Sequence, residues 1–174
     1  MTYDHEASPT SVFIRFYRDA VKVLIHPKAF FESMPVEKDQ QAIIIFLVLS
    51  ALFYSVAATF FAREQQIIFL FMFFLNGLLM PFILAAMLCL VLHLLQSGID
   101  YRLALGITAY ANTALLFAWI PGMAPFAEIF RYYLIGVGIV KVTGLSGWKA
   151  FFVLLGMGAL LLLLIYGLQT LIGR

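Results

Sequence analysis

Charge is what this chain has least of. Asp, Glu, Lys and Arg make up 11% of it, hydrophobic residues 64%, and the mean hydropathy is +1.01. Soluble domains carry about a quarter charged residues and about half apolar ones, so a water-soluble fold is excluded and an integral membrane protein is indicated. Cysteine is nearly absent too. The one residue, Cys89, lies inside an apolar run and excludes an intrachain disulfide. The formal net charge of +2 is too small to indicate nucleic acid or an acidic soluble partner. His5, His26 and His93 have no ligand spacing, so no metal site is expected. There is no Ser-His-Asp or Cys-His set, no phosphate-binding glycine loop and no facing pair of carboxylates. A non-catalytic protein without a cofactor is therefore expected. The first residues lack the basic-then-apolar order of a cleaved signal peptide, which makes the first span the expected insertion signal.

Long apolar runs are what the chain has instead. Residues 42–62, 67–95, 103–120, 126–142 and 150–172 each approach or exceed the roughly 20 residues that cross a bilayer. The fold class is thus all-α, a polytopic bundle of five transmembrane helices. It divides into a cytoplasmic or interfacial segment, 1–41, and a transmembrane domain, 42–174.

Ahead of the first span, Ser11 to Ile25 reads as an amphipathic helix. Val12, Phe13, Phe16, Ala20, Val23 and Leu24 recur at helical spacing, opposite Arg15, Arg18, Asp19 and Lys22. That pattern suits a helix lying in the membrane interface, with Phe13 and Phe16 among acyl chains and Arg15, Arg18 and Lys22 at anionic headgroups. The competing reading is a soluble helix packed on the bundle's loops. His26-Pro27 ends the segment, and Lys28 to Met34 has room for two more turns before Pro35.

The spans carry a few polar groups, each costly in hydrocarbon unless partnered. In the second, Pro81 removes one backbone hydrogen bond, and Asn76-Gly77 precede it by about a turn. The third carries Tyr110, Asn112 and Thr113 near its middle and reads as an inner helix, for which Ser55, Thr59 and Asn76 are the expected partners. In the fourth, Glu128 and Arg131 share a helix face and can neutralise each other, either inside the hydrocarbon or at its edge. Asn76, Tyr110, Asn112, Thr113, Glu128 and Arg131 are thus the candidate intramembrane polar site. Small residues at Ala51, Ser55 and Thr59, at Gly136 and Gly138, and at Gly156 and Gly158 predict close helix contacts and are compatible with homo-oligomers.

Five spans place the termini on opposite sides. With a cytoplasmic N-terminus, Arg15, Arg18, Lys22, Lys28, Lys38, Arg102, Lys141 and Lys149 lie inside, and only Arg63, Arg131 and Arg174 outside. The positive-inside rule supports that orientation.

Several segments, in this order, resemble the Yip (Ypt/Rab-interacting protein) domain family. They are His26-Pro27-Lys28-Ala29-Phe30-Phe31-Glu32-Ser33-Met34-Pro35, the Ala-Tyr-Ala-Asn-Thr run at 109–113, Trp119-Ile120-Pro121, and Gly144-Leu145-Ser146-Gly147-Trp148-Lys149-Ala150. The likeness covers about residues 20 to 170. It implies five spans with a cytoplasmic N-terminus. Eukaryotic members of that family are associated with Rab GTPases and early secretory trafficking. This chain has a much shorter N-terminal region and lacks their Asp-Leu-Tyr-Gly-Pro pattern, and so looks like the compact prokaryotic branch, in the inner membrane. Two functions are compatible with these features. One is a membrane scaffold or adaptor binding lipid and other membrane proteins; the other is a small solute or ion transporter using the intramembrane polar residues.

Overall fold

A computed structural model describes residues 9–34, 40–60 and 66–172. Arg63, Lys38, Arg174 and the residues before Pro9 lie outside that range. Among the described residues the chain is all helical. Two short helices, α1 (Pro9–Ile25) and α2 (Pro27–Glu32), precede α3 (Gln40–Thr59) and α4 (Gln66–Leu94). Then come α5 (Tyr101–Ala111), a 3-10 turn at Asn112–Ala114, α6 (Leu115–Ala118), α7 (Ala124–Thr143) and α8 (Gly147–Ile172).

Local chemistry sets most of these boundaries. Pro9 and Pro27 occupy first-turn positions, where proline's missing N–H costs nothing. The side chain of Asp100 accepts from the Arg102 backbone N–H at 3.2 Å, capping α5. Gly144, at φ +70°, closes α7 in the left-handed conformation that favours glycine, and its N–H reaches the Val140 carbonyl.

Among the described residues, three helices are long and apolar enough to cross a membrane: Gln40–Thr59, Gln66–Leu94 and Gly147–Gly167. The expected third span is not one continuous α-helix. It breaks after Ala111, where the chain tightens to 3-10 geometry, and the Thr113 hydroxyl turns back to the Tyr110 carbonyl. Its position is nonetheless internal, for every residue from Ala104 to Leu115 is buried. α5 packs against α3, α4 and α7, and α6 continues the contact with α3 and α7. α8 lies at the periphery, against α4 and α7. It buries Ala150, Val153 and Met157 and leaves Leu162 to Tyr166 exposed.

Close approaches occur at small residues. A Cβ on Gly77 would come 3.2 Å from that of Ala51, and one on Gly138 would come 2.6 Å from Ile107 Cγ2. These mark the α3–α4 and α5–α7 seams. Gly156 meets Val91 of α4, whereas Gly158 faces nothing within 4 Å.

Candidate functional site

The residues singled out by the sequence fall into two places. One is a layer of polar groups roughly midway along the bundle, built on the irregularity in α4. Pro81 has no N–H, so the carbonyl four residues earlier, that of Gly77, loses its helical donor. Asn112 replaces it, donating from Nδ2 to the Gly77 carbonyl at 2.8 Å. One turn earlier on the same face, the Thr108 hydroxyl lies 2.9 Å from the Pro81 carbonyl and 3.2 Å from the carbonyls of Ala104 and Leu105. Four residues separate the two donors and four separate the two acceptors, in antiparallel order. A single register of α5 on α4 therefore satisfies both.

The expected partners of the polar residues in this segment were others. Ser55 and Thr59 bond within their own helix, to the carbonyls of Leu52 and Ser55. Asn76 is exposed on the outer side of α4, one residue away from the carbonyl that matters. A helix turn carries neighbouring residues about 100° apart, so Asn76 points outward while Gly77 points in.

On α7, Arg131 is 4% exposed and its Nη2 lies 2.8 Å from Glu128 Oε2, while the Glu128 side chain remains 46% exposed. The pair thus runs from the interior to the surface. Tyr54 of α3 stands within electrostatic reach of both charges. Among the described residues, three buried polar atoms, Ser50 Oγ, Asn112 Oδ1 and Arg131 Nε, have no hydrogen-bond partner among the protein groups. One is a donor, one an acceptor and one a hydroxyl, groups that an ordered water can each satisfy. Ser50 and Thr108 had no motif to reveal them. For Thr108 the available signal was its four-residue spacing from Asn112, matching that between Gly77 and Pro81.

The second place is a basic cleft beneath α1. A cavity of about 540 Å³ between α1 and the start of α3 is lined by Ser11, Arg15, Arg18, Asp19, Gln41 and Phe46 among others. A neighbouring one of about 390 Å³ shares Arg15, Arg18 and Asp19 and adds Lys22, His26, Ser33 and Tyr110. Tyr110 thereby belongs with the cationic residues and not with Asn112. Its ring packs against Phe30 and Phe46 at centroid distances of 4.7 and 4.8 Å, and Phe46 in turn meets Phe16 at 5.0 Å. Asp19 lies 3.5 Å from Arg18 Nε and keeps part of the cleft's charge neutralised.

α1 packs on the bundle along one side of its length. Ala20 and Val23 are buried against the bundle, with Val12 and Phe16 half-buried beside them. Phe13, Ile14, Tyr17 and Ile25 form an adjoining apolar face that stays exposed, Tyr17 at 71%. Arg15, Arg18 and Lys22 occupy the remaining sector. The apolar arc is wide enough to contact protein on one side and acyl chains on the other. Among the described residues, no group of three or more His, Cys, Asp or Glu is placed to hold a metal ion.

Apolar helices of spanning length, a broken inner segment with its polar groups turned onto a neighbouring backbone, and an amphipathic helix laid across one end define a helical integral membrane protein. The chain belongs to the Yip1 domain family, whose model matches residues 21–168. Neither a curated protein nor a solved structure matches it.

Proposed function

We propose that this protein is a non-catalytic membrane scaffold or adaptor with five spans. In this reading it lies in the cell (inner) membrane, N-terminus cytoplasmic and C-terminus external, with α7 and the α5–α6 segment as the spans additional to the three long apolar helices. α1 rests on the cytoplasmic leaflet, with Phe13 and Tyr17 in the acyl region and Arg15, Arg18 and Lys22 at anionic headgroups. Other membrane proteins, or further copies of the chain, dock on the exposed apolar faces of the bundle.

One observation carries this reading. The most conspicuous polar side chains of the inner segment, Thr108 and Asn112, are engaged by the α4 backbone at Pro81 and Gly77. They serve the packing of two helices, as expected of a structural bundle. A depth measurement tests the α1 part. With Tyr17→Trp as the sole tryptophan, in a Trp119→Phe and Trp148→Phe background reconstituted into vesicles, brominated acyl chains should quench the indole, and more strongly when the vesicles contain anionic lipid. Quenching by aqueous iodide alone would refute it.

A second reading, a small solute or ion transporter, is favoured by the unpartnered Ser50 Oγ, Asn112 Oδ1 and Arg131 Nε. It requires a flux in proteoliposomes that falls when Asn112 or Glu128 is replaced by Ala. Absence of flux for a panel of ions and small solutes favours the scaffold.

A further inference from the structure

A groove between α7 and α8, away from α1, combines an apolar body with a cationic mouth. Its volume is about 280 Å³, and Lys28 and Lys141 line the same cavity as Tyr133, Gly136, Val140, Phe151 and Leu154. From Lys141 to Tyr133 the groove follows α7 for about 12 Å at 1.5 Å per residue, somewhat less than the roughly 15 Å thickness of one hydrocarbon leaflet. Gly136 keeps it open, since a Cβ there would stand 3.2 Å from Leu154 Cδ1.

The mouth is assembled by α2, which folds against α7. Glu32 of α2 is ion-paired with Lys141 and holds that ammonium at the groove's end. Lys28 is four residues before Glu32, hence on the same face of α2, and is exposed. Two ammonium groups and one carboxylate leave the mouth cationic, and Lys149 in the first turn of α8 adds to the positive charge at this end of the bundle.

We propose that this groove binds one phospholipid with an anionic headgroup, its acyl chain between α7 and α8 and its phosphate at Lys28 and Lys141. Charge complementarity selects the occupant. A groove open to hydrocarbon is filled by lipid tails of any kind, and the two lysines add a preference for an anionic head. The proposal rests on the membrane-embedded reading of α7 and α8 and is independent of the α1 surface.

The test uses the full-length protein, delipidated in mild detergent and offered phosphatidylglycerol or phosphatidylcholine with matched chains, with bound lipid counted by native mass spectrometry. The first phosphatidylglycerol should bind more tightly than phosphatidylcholine. Lys28→Ala and Lys141→Gln should each lower that preference about fivefold, the effect of one lysine at a membrane surface. Val140→Trp should reduce binding of both lipids by filling the groove. Arg15→Ala with Arg18→Ala should leave the first binding event unchanged. Equal binding of the two lipids, or a preference untouched by Lys28→Ala and Lys141→Gln together, overturns the proposal. So does a preference that disappears only with the α1 variants, which would assign the lipid to the cleft under α1. Should Val140→Trp fail to fold, the lysine variants alone decide.

Discussion

Asn112, in the 3-10 turn after α5, and Gly77 of α4 are joined by a 2.8 Å hydrogen bond at the carbonyl that Pro81 deprives of its helical donor. The proline and the asparagine are thirty-one positions apart in the sequence, and each would be a defect without the other. A buried carbonyl without a donor and a buried amide without an acceptor both carry the cost of desolvation.

Asn112→Leu should therefore destabilise the protein by about 1 kcal/mol, the scale of interhelical hydrogen bonds in membranes. Pro81→Ala returns a backbone N–H to the Gly77 carbonyl, and the loss on Asn112→Leu should shrink in that background. Unfolding in detergent, run as a double-mutant cycle, measures the coupling. Additive effects of the two substitutions would mean that Asn112 does not compensate for the proline.

Gly138→Ala places a methyl 2.6 Å from Ile107 Cγ2, too close for either buried residue to keep its place. A loss of about 1 to 3 kcal/mol is expected, in the range of overpacked cores. Ile107→Ala in the same chain should restore part of it. A melting temperature unchanged by Gly138→Ala alone would show that the α5–α7 seam has more room than its distances indicate.

The Glu128–Arg131 pair is asymmetric, so its two ends should respond differently. Glu128→Gln leaves the buried guanidinium without its carboxylate and should cost about 1 to 3 kcal/mol, as for hydrogen bonds to charged groups. Replacing both, Glu128→Leu with Arg131→Met, should recover most of that loss, because two apolar groups need no partner. Thermal unfolding of the single and double variants compares them; a double variant less stable than Glu128→Gln would show that the charges matter beyond their mutual pairing.

The proposed orientation makes a separate prediction. In a Cys89→Ser background, Lys28→Cys, Arg102→Cys and Ser146→Cys should be shielded from a membrane-impermeant maleimide added outside intact cells, and Met123→Cys should react. Labelling after permeabilisation controls for accessibility. External labelling at residue 28 would reverse the assigned sidedness.

Much of this architecture was legible in the residues. Charge scarcity identified a membrane protein, and His26-Pro27 marked the end of α1. Gly77 and Gly138 lie in helix seams, but only Gly138 was singled out by its sequence context. The break at Asn112–Ala114 was less visible, because an unbroken apolar run is equally compatible with a continuous helix and with α5, a 3-10 turn and α6 in succession.

By itself the sequence determined the medium, the all-helical class, and that Pro81 leaves a carbonyl in need of a donor. Only the tertiary structure decided that the donor is Asn112, that Asn112 reaches the α4 backbone instead of the expected Ser55, Thr59 or Asn76, that Tyr110 joins the basic cleft, and that the apolar arc of α1 is partly buried against the bundle and partly exposed. The reason is physical. Hydropathy reports removal from water, and in a bilayer lipid and neighbouring helices remove a side chain from water equally well. Which of them an apolar residue meets, and which backbone group a polar one reaches, is fixed by the register and rotation of helices distant in the chain.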